Sequence, residues 1–216
     1  MKPRSWNRHW LVATLGVLTA LLVCGRPARA DGVYQLDDGS YEESFNNNQG
    51  MESEDNWVAN SFQVNPDGTR LLSISFVLGQ PLTNVAATGV IYLGSDLSDP
   101  TNLTRIATTD STVSGDVGTL VTITLDTPVD LNPGDIFFAA VLIRGVAGDV
   151  FPFTNDTDDP LGQSFFDVGP NQGDAYDLDN TSNAVVLGGT HSVVGDGIQS
   201  PGNLILRVNA TTTPCP

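Results

Sequence analysis

Asp135-Ile-Phe-Phe-Ala-Ala-Val-Leu-Ile-Arg144 is the stretch on which the fold turns. Its apolar residues fill both faces of an extended chain, as in a central strand covered on each side by a packed layer. Moving outward, Leu72, Ile74 and Phe76 alternate with Ser73 and Ser75, and Val121, Ile123 and Leu125 alternate with Thr122 and Thr124. That period of two marks half-buried strands. Val90–Leu93, entered through Gly89, reads as another strand. Asn203–Val208 sets Leu204, Leu206 and Val208 on one face and Ile205 and Arg207 on the other. Ser40–Phe45 and Trp57–Val64 add two more near the start.

Between these runs lie Asn65-Pro-Asp-Gly68, Asp130-Leu-Asn-Pro-Gly-Asp135 and Gly145-Val-Ala-Gly148. Proline presets φ at the second turn position, and glycine takes the positive φ that closes the turn. Short strands separated by turns, with almost no helical periodicity, predict an all-β chain folded as an antiparallel β-sandwich. Eight or nine strands suit a jelly roll better than an immunoglobulin fold, whose Cys…Trp…Cys signal is missing. Strand order cannot be read from this pattern.

Residues 1–30 read as an address. Lys2, Arg4 and Arg8 precede an apolar core, Leu11–Cys24, and Ala28-Arg29-Ala30 supplies the small residues a signal peptidase needs. The expectation is a signal peptide cleaved after Ala30, a β-sandwich domain over 31–209 and a flexible tail over 210–216. The apolar core is short for a membrane span, and no later segment is long and apolar enough to be one. The expected product is secreted: extracellular, or periplasmic or bound at the cell surface.

The whole chain carries a formal charge of −16. Beyond residue 30 only Arg70, Arg105, Arg144 and Arg207 face all 25 acidic residues. Such a surface repels nucleic acid and anionic lipid, because it cannot neutralise phosphates. Cys215 is the one cysteine beyond residue 30, so that part of the chain can form no internal disulfide.

The residues least like scaffold lie in Val150–Asn183, expected to be a long Asp-rich surface loop around one buried strand piece, Ser164–Val168. Phe165 and Phe166 are the expected anchors. Asp156, Asp158 and Asp159 form one acidic knot, and Asp174, Asp177 and Asp179 a second. Calcium takes six to eight oxygen ligands in forgiving geometry, so a structural Ca²⁺ is the one cofactor this composition suits. Solvated Asp-rich turns are the ordinary reading of the same residues, and a structural Ca²⁺ is the sharper one. Neither knot has the EF-hand spacing. Tyr41 and Tyr176, near acidic segments, are candidate ring contacts for a glycan, with structural tyrosines the ordinary reading.

Catalysis finds little support. His191 is the sole histidine past the leader, no Gly-x-Ser-x-Gly elbow is present, and zinc would lack ligands. All four glutamates, Glu42, Glu43, Glu52 and Glu54, cluster near the start; adjacent Glu42 and Glu43 point to opposite faces of a strand and form no glycosidase pair alone.

Asp38-Gly-Ser-Tyr-Glu-Glu-Ser44, Phe151-Pro-Phe-Thr-Asn-Asp156 with Gln163-Ser-Phe-Phe166, and Gly202-Asn-Leu-Ile-Leu-Arg-Val208 together resemble secreted bacterial β-sandwich domains of jelly-roll type. These occur alone or attached to exported multidomain proteins, and most have no assigned activity. The terminal Pro-Cys-Pro is similar to linkers before small calcium-binding docking or sorting modules. The resemblance implies fold and export. The expected function is a non-catalytic extracellular module with a structural or interaction role, meeting an extracellular glycan or protein. A calcium-assisted carbohydrate-binding module is the alternative, and a glycan hydrolase comes third.

Overall fold

The computed structural model describes residues 30–40, 43–156, 161, 163–168, 175–187 and 202–212, by backbone alone at 30–31, 43–54, 147–151 and 168. Among them are eleven strands and no helix: β1 (Ala30–Tyr34), β2 (Glu43–Gln63), β3 (Arg70–Val77), β4 (Leu82–Gly94), β5 (Thr104–Gly115), β6 (Leu120–Asp130), β7 (Ile136–Asp156), β8 (Ser164–Val168), β9 (Val185–Leu187), β10 (Asn203–Leu204) and β11 (Leu206–Thr211). They form two antiparallel sheets. One is ordered β1-β11-β3-β6, and the other β5-β4-β7-β2-β8-β9 with β10 on β7.

Eight of these strands, β1–β7 and β11, define a jelly roll. Numbered by themselves they pair as 1-8-3-6 in one sheet and 2-7-4-5 in the other, the order made by two interlocked Greek keys. The additional strands β8, β9 and β10 all fall between the seventh and the last of these eight. β8 pairs with β2 through Asn56–Asn60, and β9 pairs with β8, so the larger sheet continues past the edge where a plain jelly roll stops.

DIFFAAVLIR is the centre of the molecule. Phe137, Ala139, Val141 and Ile143 point into the core between the sheets, with Ile74, Phe76, Ile123 and Val208. Phe138, Ala140 and Leu142 point the other way, into a second cluster with Trp57, Tyr92 and Phe165. One layer over this strand is therefore a sheet, and the other is built from the additional segment.

Four local expectations change. Gly145–Gly148 is not a turn, because β7 runs through it to Asp156. Gly145 takes a φ of 62°, and the β2–β7 register shifts nearby, so bulges absorb the glycines. Ser40–Phe45 and Trp57–Val64 are not two separate strands, since β2 runs from Glu43 to Gln63. In β3, register shifts on both sides set Leu71 rather than Leu72 in the core, so that Leu71 is fully buried. Finally, Asn203–Val208 divides at Ile205. Its N–H donates to Thr154 O at 3.1 Å and its carbonyl accepts from Val77 N at 3.2 Å. There the chain leaves the larger sheet as β10 and joins the smaller one as β11.

Candidate functional site

The stretch 150–183 divides into parts with different roles. Its first residues, through Asp156, finish β7 and are not loop. Asp156 is 1% exposed, and its Oδ2 accepts the Asp38 N–H at 2.8 Å, tying the end of β7 to the segment after β1. β8 stands where the apolar run predicts, with Phe165 and Phe166 buried.

Residues 175–184 lie over the outer face of the larger sheet, with Tyr176, Leu178 and Ala184 buried in the second cluster. Register fixes what lies beneath. Asp110, Thr88, Leu142, Trp57 and Asp167 form one row across five strands, and Thr108, Val90, Ala140, Ala59 and Phe165 form the next on that face. Small Ala59 and Ala140 make the middle of the second row shallow. The Tyr176 ring stacks on Trp57 at 6.2 Å between centroids and 10° between planes. Its hydroxyl donates to Asp167 Oδ2 at 2.9 Å.

This covering strap is tied at its margins by polar contacts. Asp55 Oδ2 accepts from the Tyr176 N–H at 3.1 Å and from Arg144 at 2.9 Å, while Oδ1 accepts from Gly145 N–H at 3.1 Å. Tyr92 donates its hydroxyl to Leu178 O at 3.0 Å. Arg105 on β5 pairs with Asp179 at 2.8 Å.

Burial and the Asp167 carboxylate together push the Tyr176 phenol far above its ordinary range. Burial raises Tyr92 to about 12, partly offset by the Trp57 indole and the Arg105 charge. The Trp57 N–H lies near enough to Tyr92 to favour its anion, yet it reaches no acceptor in hydrogen-bond geometry. A buried donor short of hydrogen-bond geometry costs up to about 1–3 kcal/mol.

Among the described residues, Asp156 stands apart from Asp177 and Asp179 in what it contacts. Asp177 and Asp179 are exposed and shape a turn, in which Asp177 Oδ1 accepts the Asp179 N–H at 3.0 Å. Asp156 is buried by its bond to Asp38. Asp158, Asp159, Asp174, Tyr41 and His191, and the glutamate side chains, lie outside the described residues. Among the described residues no three His, Cys, Asp or Glu side chains gather as a metal site. Tyr176, a candidate ring contact, is 6% exposed, its ring buried against Trp57 as a structural tyrosine.

Sequence reasoning passed over Trp57, Asp55, Asp167 and Arg105 as parts of one site. Asp167 alone carried a signal, a carboxylate inside the apolar run Ser164-Phe-Phe-Asp-Val168.

No family model matches the chain, and no curated protein matches it. Among solved structures it is similar to the clostridial cysteine protease Cwp84 after propeptide cleavage, at a TM-score of 0.53 and 16% identity. The likeness covers 88% of this chain and 42% of that one, so this chain spans less than half of its length. At that identity the likeness is one of fold: a β-sandwich.

Proposed function

We propose that this chain is a secreted, non-catalytic extracellular module with a structural or interaction role. The observation that carries the reading is the use made of the Asp-rich stretch. Its Tyr176 and Leu178 cover a sheet face, Asp177 shapes a turn and Asp179 pairs with Arg105. The described part of the segment least like scaffold in sequence thus works as scaffold. A jelly roll that also matches less than half of a longer chain suits a module. The strongly acidic composition favours solubility outside the cell and disfavours nucleic acid and anionic membranes as partners.

The test expresses the full chain with its leader in a bacterial host and follows it out of the cytoplasm. The recovered protein is offered protein and glycan substrates, with products followed by mass spectrometry, and is screened for binding to extracellular polymers. Export with cleavage after Ala30, saturable binding and no product support the reading. Retention in the cytoplasm, or turnover of any substrate, overturns it.

A further inference from the structure

We propose that the face beneath residues 175–184 is a covered binding floor for a neutral pyranose ring, with Tyr176 as its built-in occupant. The proposal rests on the extracellular-module reading and names the ligand and the site.

Three observations meet at one place. The Tyr176 ring lies nearly parallel to Trp57 while its hydroxyl donates to Asp167. The floor therefore accepts a flat ring with a hydroxyl at its rim. Beside it sits the fully buried Trp57 N–H without an acceptor. A sugar hydroxyl oxygen is an acceptor of the kind this donor lacks, whereas the tyrosine already present does not satisfy it. Asp110 and Asp167 border the floor beside Asp55, which is paired with Arg144, and their charges disfavour anionic sugars and leave neutral ones.

The cover is separable from the fold. It belongs to the segment added to the eight-strand jelly roll, and its apolar contacts form a cluster distinct from the core between the sheets. Such an element can open locally while the remainder stays folded. Its outer tie, Arg105–Asp179, joins side chains 33% and 65% exposed and is weak. Lifting the strap bares Trp57 and Tyr92, set edge to face at 6.3 Å, above Phe138 and the shallow Ala59–Ala140 step. Aromatic surface with a few convergent polar groups is the make-up of a small-molecule site.

The test uses the full chain carrying W6F and W10F, so that Trp57 is its sole tryptophan. Hexasaccharides of glucose, N-acetylglucosamine, xylose and mannose are titrated separately while Trp57 emission is read. Arg105→Ala cuts the outer tie without touching the floor and is expected to bind one of these sugars about two- to five-fold tighter than the parent. Adding Asp167→Asn is expected to remove most of that gain. Should Arg105→Ala fail to fold, Tyr176→Phe, which keeps the ring but removes its hydroxyl from Asp167, carries the same expectation. No saturable emission change in parent or variant overturns the proposal and leaves the cluster a permanent second core. Equal affinity in parent and variant overturns the covering role. Glycan binding without a Trp57 signal also overturns the site but leaves the extracellular-module reading standing.

Discussion

Asn60 holds Leu204 at the point where the chain changes sheets. The Asn60 Nδ2 donates to Leu204 O at 3.0 Å and to Leu206 O at 3.0 Å, on either side of Ile205. Ser164 Oγ donates to Asn60 Oδ1 at 2.7 Å and accepts the Leu204 N–H at 3.0 Å. Four residues from β2, β8, β10 and β11 thus satisfy one another's buried polar groups. This node couples the additional segment to the closing strand of the jelly roll.

Asn60→Ala strips partners from two buried carbonyls and from Ser164. Chemical denaturation is expected to show a loss of about 2–4 kcal/mol, larger than for Ser164→Ala at about 1–2 kcal/mol. A double-mutant cycle should give a coupling above 0.5 kcal/mol; additive losses would mean that the two side chains act separately.

Gly202 enters β10 with a φ of 138°, and a Cβ there would stand 2.0 Å from the Asp156 carbonyl oxygen. Backbone cannot yield as a flexible side chain does, and that φ is itself strained for other residues. Gly202→Ala should therefore cost more than about 3 kcal/mol and lower the thermal midpoint strongly, whereas Gly118→Ala, with a φ of 79° but open space around it, should cost only the left-handed backbone strain of about 1–2 kcal/mol.

Asp37 has a side chain without exposure and pairs with Arg207, whose Nε donates to both carboxylate oxygens at 3.1 Å. The pair joins the end of β1's extension to β11. Removing one partner of a buried pair costs about 3–5 kcal/mol, and the partial exposure of Arg207 moves the expectation to the lower end. Urea unfolding of Asp37→Ala and Asp37→Asn should rank Ala as the more damaging.

At alkaline pH the strap should fail first. Tyr92 has its folded value raised from 10.0 to about 12, and Tyr176 is raised further. A raised acid keeps its proton in the fold after the unfolded chain has lost it, so stability is intact below about pH 10 and declines as pH rises through the folded value. For Tyr92 alone the loss by pH 12 is of order 3 kcal/mol. Tyrosinate absorbance and Trp57 emission should change together. If Tyr92 ionises at its ordinary value with Trp57 unmoved, the buried network is wrong.

At the acid end, Asp96 and Asp99 sit below their ordinary values because each accepts from a hydroxyl and an N–H two residues on, at Ser98 and Thr101. Their contribution is fully present above the unfolded carboxylate value and is lost as pH falls through the lower folded one. An NMR titration should show the Ser98 and Thr101 amides shifting together below pH 3.8.

The sequence determined the class of fold and most of its strands, because period-two patterning reports how each residue divides between core and solvent. Ile74, Phe76, Ile123 and Leu125 needed no further context, and Phe165 and Phe166 announced β8 by composition. DIFFAAVLIR announced two covering layers, but not that one of them is the Asp-rich strap. Tertiary structure alone decided that, since the partners of Trp57 come from β4, β7, β8 and the strap, and no local pattern encodes such pairings. It also decided the strand order, the sheet change at Ile205 and the bulge at Leu72, each set by hydrogen bonds between distant segments. Tyr176 shows the difference most clearly. Locally it is a tyrosine in an acidic, Asn-rich stretch, which reads as surface, and only the shallow step at Ala59 and Ala140, built by two other strands, gives its ring a place to bury.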